Sequence, residues 1–189
     1  MTEAEAIRLC RAGGAEAQAA FRFIYDRHAP DVFRFQMKIL RDAGLAEDSV
    51  QETFVRLHRG LGGFDPERPL RPWVLTVARN VAIDLLRSSR ARSAAPLSDP
   101  SALESRDGEA SGRAVESERR EIVASALEAL DPEDRTILVL RHFEGLTVEE
   151  IARGGAFTVR TAFNRLRTAA AVLARELKRR GFHAPEVGS

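Results

Sequence analysis

The residues best suited to chemistry lie near the C-terminus. Turned at 100° per residue, a helix opening at Thr158 places Arg160, Thr161, Asn164, Arg167 and Thr168 opposite an apolar stripe of Val159, Ala162, Leu166, Ala169, Leu173 and Leu177. Arg can bond guanine through two donors, Asn can do the same with adenine, and a neighbouring Arg such as Arg165 can grip phosphate. A solvated basic face on a helix that merely packs would show the same pattern. The charge count favours recognition: from Phe157 to His183 there are seven Lys or Arg against one acid, Glu176, and cations gathered at one end of a chain need an anionic partner. Phe163 sits about 65° from the centre of the stripe, where it could pack or touch a thymine methyl, and packing is the expectation.

Patterns for catalysis do not emerge. His28, His58, His142 and His183 are scattered without metal-ligand spacing, and there is no phosphate loop of the GxxxxGK type and no nucleophile elbow. The lone cysteine, Cys10, cannot form an internal disulfide or a multi-thiolate zinc site; it reads as a small helix residue in a reducing compartment. No cofactor, no metal and no enzymatic activity are expected. The N-terminus lacks a basic region followed by an apolar run, and no stretch approaches the ~18 apolar residues of a membrane span, so a soluble cytoplasmic protein without membrane insertion is expected. A net charge of +1 argues against a protein that coats nucleic acid by bulk charge.

The elements that must position these residues are helical. Of 189 residues 44% are hydrophobic and 30% charged, Ala, Leu and Arg are abundant, and one Trp and one Tyr give little for a sheet, so the fold class is all-α. Residues 91–117, rich in Ala, Ser, Gly and Pro and leaning acidic, read as a flexible linker between two small helical domains. The bounds follow as 1–90, a linker over 91–117, 118–183, and a tail over 184–189. In the first unit Phe21, Ile24, Tyr25 and His28 suggest one helix. Pro30 is expected to start the next, with Val32, Phe33, Gln36, Met37, Ile39 and Leu40 inside. Val50, Phe54, Leu57 and Leu61 stripe a third, and Leu70, Val74, Val77, Val81 and Leu85 a fourth that Pro69 and Pro72 help to begin. A Gly- and Pro-rich loop, GLGGFDPERP, separates the last two.

The second unit reads as four helices. Val123, Leu127 and Leu130 stripe the first; Asp131 caps a second, with Pro132 at its first position and Ile137, Leu140 and Phe143 inward. Thr147 and Glu150 form a capping box for a short third helix ending near Arg153. Gly154-Gly155-Ala156 makes the turn to the long basic helix, completing a helix-turn-helix.

Ala46 to Arg56 (AEDSVQETFVR), Phe64 to Arg68 (FDPER), Arg71 to Val74 (RPWV) and Ala78 to Arg87 (ARNVAIDLLR) together resemble sigma domain two of the sigma-70 family. Leu130 to Arg135 (LDPEDR) and Glu144 to Ala152 (EGLTVEEIA) are similar to sigma domain four. A chain with only these two domains resembles the extracytoplasmic function (ECF) subfamily. The resemblance implies an alternative sigma factor that binds RNA polymerase core, at the beta-prime clamp helices and the beta flap, and directs it to particular promoters. It implies that Glu47, Asp48, Gln51 and Glu52 dock on the clamp helices, with charge pairing across that contact supplying orientation and speed. It implies that the loop containing Gly63, Phe64, Pro66 and Arg68, together with Thr76, Asn80, Asp84 and Arg87, opens the -10 element and holds a base turned out of the stack. Asn80 is the candidate for the base edge. Asp84 is expected to be structural, pairing with Asn80 or Arg87. Trp73 reads equally as core or as a strand-separating wedge. Contact with the -35 element falls to Arg160, Thr161, Phe163, Asn164, Arg165 and Arg167. Promoter DNA and an anti-sigma factor are the further partners implied. Gly154-Gly155 stands where the family usually has a bulky apolar pair, Ala156 where it has glycine, and Phe163 where it has a basic or polar residue. Two other functions fit parts of the chain: a free-standing helix-turn-helix regulator, and a sigma-like decoy for an anti-sigma factor.

Overall fold

Local caps fix where helices start in the computed structural model, which describes residues 1–92, 112–154 and 157–182. Thr2 opens α1 (Glu3–Ala12) with a capping box: its hydroxyl accepts from the Glu5 amide while the Glu5 carboxylate accepts from its own. Gly13 and Gly14, at φ of 72° and 83°, turn the chain into α2 (Ala15–Leu40). Arg41 in the left-handed region ends α2, and Asp42 caps α3 (Ala43–Gly60) by accepting from the Leu45 amide at 2.8 Å. A 3-10 turn (Leu61–Gly63) and the Gly/Pro loop lead to α4 (Leu70–Arg92).

The second unit holds α5 (Gly112–Glu128), α6 (Pro132–His142), α7 (Val148–Gly154) and α8 (Val159–Arg179). The expected caps are present: Asp131 accepts from the Glu133 amide, Thr147 and Glu150 exchange both capping-box bonds, and Thr158 accepts from the Thr161 amide. Gly145, at φ 73°, lets the chain reverse between α6 and α7, with Leu146 N–H donating back to Leu140 O at 3.0 Å. The described residues contain helices and no strand, as an all-α fold requires.

Four sequence expectations change. Pro30 starts no helix; it lies inside α2, because Ile24 on one side and Val32, Phe35 and Ile39 on the other bury into the same core. That burial outweighs the roughly 3 kcal/mol of a lost hydrogen bond and ring clash. Phe35, absent from the expected inner surface, is fully buried, whereas Phe33, Met37 and Leu40 are half-buried. Helix enters both ends of the segment 91–117 expected to be a linker, since α4 runs to Arg92 and α5 begins at Gly112; the residues between, and the tail from His183, lie outside the described part. On α8 only Ala162 and Ala169 are fully buried, Val159 is exposed, and Leu166, Leu173 and Leu177 are half-buried.

α2, α3 and α4 pack on one another with α1 across α2, while α8 lies against α5, α6 and α7. The two units also meet, through α4 with α7 and through α6 with both α2 and α4. Buried apolar residues form one cluster running from Ala6 and Ile7 through Phe35, Leu57 and Leu75 to Ile137, Leu140 and Ile151.

Candidate nucleic-acid interface

α3 divides its faces as its sequence period demands. Val50, Phe54 and Leu57 are buried, and Glu47, Asp48 and Gln51 are exposed. Glu52 is different. Its carboxylate accepts from Arg56 Nε at 2.7 Å, and Arg56 Nη1 donates to Asp84 of α4 at 2.7 Å. The two carboxylates raise the Arg56 pKa above its ordinary value, Asp84 contributing most. Asp84 thus ties α4 to α3, and its partner is Arg56 on the neighbouring helix and not Asn80 or Arg87 on its own.

The loop between α3 and α4 is built from short-range bonds and held by α1. Asp65 accepts from the Glu67 amide at 3.1 Å, and Arg68 N–H donates to Asp65 O at 3.1 Å. Arg11 Nε donates to Leu61 O at 2.8 Å, and Arg8 pairs with Glu67. Sequence reading missed this role for α1, because pairing across such a separation leaves no periodic signal. Phe64 stacks on Trp73 with centroids 4.5 Å apart and planes at 21°. Gly60 makes this possible: a Cβ there would lie 2.9 Å from Trp73 Cζ2. Trp73 is half-buried, so it packs on the loop and still offers an edge.

Gly63, Arg68, Asn80 and Arg87 are exposed and Pro66 is half-buried, but Thr76 is buried at 1% exposure, its hydroxyl donating to Pro72 O at 2.8 Å. Asn80 Oδ1 accepts from Arg79 Nη1 at 3.0 Å. Arg79 is itself buried, with its guanidinium over the Phe157 ring at 4.5 Å and its pKa pulled down to about 10 by burial. Glu133 opposes that shift and pairs with Arg87.

On α8, Arg160, Thr161, Asn164, Arg167 and Thr168 are exposed together, as the 100° arithmetic required. Phe163 is 58% exposed, which corrects the expectation that it packs: the stripe on α8 is narrower than its apolar residues suggest, and Phe163 lies beyond its rim beside Val159 and Arg160. Arg165 turns the other way, pairing with Glu133 and approaching Phe157 at 5.6 Å. The arrangement can offer donors to base edges and phosphates from α8 and a separate polar and aromatic surface from the α3–α4 loop and Asn80. Among the described residues no cluster of three or more His, Cys, Asp or Glu could hold a metal ion, and no helix is long and apolar enough to cross a membrane. One feature had no sequence signal. Met37 of α2, Val123 and Leu127 of α5 and Phe143 after α6 line an open apolar groove of about 640 Å³ between the units.

Comparison with known proteins agrees with this geometry. Residues 24–92 match the Sigma-70 region 2 family and residues 120–173 match Sigma-70, region 4. The ECF RNA polymerase sigma factor SigL of Mycobacterium tuberculosis is 35% identical over 173 residues, covering 89% of this chain and 96% of that protein. The structure of CnrH in complex with the cytosolic domain of CnrY superposes with a TM-score of 0.65 at 26% identity, over 93% of this chain and 97% of that one. The sigma factor RpoE in complex with the anti-sigma factor NepR from Bartonella quintana shares the fold, with a TM-score of 0.65 at 18% identity over 87% of this chain and 98% of that one. With both conserved regions in order and SigL matched along nearly its whole length, the chain belongs to the ECF RNA polymerase sigma factors of the sigma-70 family.

Proposed function

We propose that this sigma factor attaches to polymerase core through the exposed face of α3, reads the -10 element with the α3–α4 loop and Asn80, and reads the -35 element with α8. The observation that carries the reading is the split of α3. Glu47, Asp48 and Gln51 stand free on the side opposite the buried Val50, Phe54 and Leu57, and neither Glu47 nor Asp48 forms an ion pair with a described residue. Unsatisfied acids at one face suit a basic partner, and the gain is in orientation and encounter rate. Domain two then extends from the N-terminus to the end of α4, and domain four from α5 to the end of α8. The subunit works in the cytoplasm and positions polymerase, which performs the chemistry. An anti-sigma partner is part of the proposal, supported by the solved relative seen with NepR.

The test is co-elution with core polymerase. Asp48→Lys combined with Glu47→Lys should abolish co-elution while helix content by circular dichroism stays unchanged. Glu52→Lys is a poorer probe, because it also breaks the Arg56 tie to Asp84. Unchanged co-elution of the Asp48→Lys, Glu47→Lys protein would refute the assignment.

A further inference from the structure

The first helix is tied down at both ends. Ala6 and Ile7 are buried where α1 crosses α2, and Glu3 anchors its start: the carboxylate accepts from Arg27 Nε at 2.7 Å and meets His28 Nε2 at 3.1 Å. At the other end Arg11 Nε donates to Leu61 O at 2.8 Å, and one turn earlier Arg8 pairs with Glu67. α1 precedes residues 24–92, which match the Sigma-70 region 2 family, so its two arginines lie outside the matched segment that they grip.

Leu61 and Glu67 bracket the loop assigned to the -10 element. Gly63, Phe64 and Pro66 lie between them, and Arg68 follows directly. Inside the bracket Phe64 N–H donates to Leu61 O at 3.3 Å, Glu67 N–H to Asp65 Oδ1 at 3.1 Å and Arg68 N–H to Asp65 O at 3.1 Å. Those bonds fix the loop's shape but not its direction, because every partner moves with it. The Phe64 stack on Trp73 is one external hold, and the arginines of α1 supply two more, at the ends. Arg11 is the stronger of the two. Its bond to the carbonyl of buried Leu61 is charge-assisted, whereas Arg8 and Glu67 stand mostly in water, where an ion pair contributes little.

We infer that Arg11, supported by Arg8, is a positioning residue for promoter choice: α1 aims the α3–α4 loop and so sets how sharply Phe64 and Arg68 discriminate among -10 sequences. The inference rests on the reading of that loop as the -10 contact. Base selection needs polar and aromatic groups held to about 0.5 Å, and a group on a loose support accepts several bases nearly equally. Freed from Arg11, the loop keeps its Trp73 stack and its internal bonds, so it still meets DNA but selects less. Loss of Arg11 therefore acts on the spread of rates among promoters more than on their sum.

In vitro transcription with core polymerase, on templates randomised across the -10 element behind a -35 element that the parent protein uses, reads this directly. Arg11→Ala should narrow the ratio between the best and the poorest -10 sequences about tenfold, the factor that one charge-assisted hydrogen bond can carry. Arg11→Lys, which still offers a charged donor, should keep most of the ratio. Arg8→Glu sets like charges together and should narrow it too, while adding Glu67→Arg restores the pair and should return the parent ratio. Ala6 and Ile7 are untouched in all these variants, so helix content by circular dichroism and co-elution with core should stay unchanged. An unchanged ratio in Arg11→Ala, or an equal loss on every -10 sequence, would overturn the positioning role. Phe64→Ala separates this from the underlying reading. If it narrows the ratio while Arg11→Ala does not, the loop reads DNA and α1 does not aim it; if it too leaves the ratio unchanged, the loop does not read the -10 element and the inference falls with that assignment.

Discussion

Arg135 caps two helices belonging to different domains, and its removal has a magnitude that follows from the structure. The side chain is 8% exposed. Nε donates to Leu127 O at 3.0 Å and Nη2 to Glu128 O at 2.9 Å, both carbonyls of the last turn of α5. Nη1 donates to Ile39 O at 2.9 Å, near the end of α2. These carbonyls lie at helix ends, where Leu127 O also accepts from Leu130 N–H at 3.2 Å, and each end carries partial negative charge that a guanidinium offsets. Hydrogen bonds to a charged donor contribute about 1.5–3 kcal/mol each. Full loss of three would give roughly 5–9 kcal/mol, but Leu127 O keeps its bond from Leu130 N–H, water can serve the less buried Glu128 O, and the effects are not additive, so about 3–4 kcal/mol is expected. Arg135→Met keeps the apolar stem and removes only the donors. Urea unfolding of the full chain should show this loss as a lower midpoint with the slope unchanged. A loss under about 1 kcal/mol would mean that the three carbonyls are as well served by water, and the capping argument would fall.

Two further outcomes concern acidity and promoter opening. His28 is buried against Glu3 at 3.1 Å, and burial lowers its pKa although the carboxylate opposes the shift. The unfolded chain therefore binds a proton at about pH 6.5 before the folded one does, so stability should fall as pH drops below that value and level off beneath the folded pKa. His28→Gln should flatten this slope in urea melts between about pH 7 and 5, and parallel slopes would exclude His28 as the source. Asn80→Ala should impair initiation on duplex promoters and far less on templates already unpaired at -10, whereas Arg160→Ala or Asn164→Ala should each cost roughly 1–3 kcal/mol of promoter binding on both templates. In vitro transcription with core on both templates measures this, and an equal defect for Asn80→Ala on the open template would remove its role in opening.

Local signals were legible in the sequence, and signals between distant segments were not. Thr147 with Glu150, Asp131 with Pro132, and Thr158 each act within one turn, so residue type alone placed three helix starts correctly. Pro30 was misread by the same logic, because the rule that proline starts a helix carries no information about Phe35 and Ile39 burying beyond it. Asp84 was expected to pair with Asn80 or Arg87 one turn away, yet its partner is Arg56 of α3. Phe163 was misjudged because the 100° arithmetic gives direction but not how close the neighbouring helices approach; α8 meets them at Ala162 and Ala169, and a side chain off that line stays in water.

The same distinction changes what the basic C-terminal helix can do. By count, seven Lys or Arg follow Phe157. In the fold Arg165 is tied to Glu133, Arg179 pairs with Glu176, and Arg180 donates to Ser125 Oγ at 2.6 Å. Arg160, Arg167, Arg175 and Lys178 remain exposed. Of these, Arg160 and Arg167 flank Asn164 within two turns, where a major groove could receive all three, and Arg175 and Lys178 lie further along the helix. Composition therefore overstates the charge available to DNA and understates its placement. Arg165 alone among the tied cations of α8 reaches the contact between the units, where it shares Glu133 with Arg87 and lies near the Phe157 ring that covers Arg79.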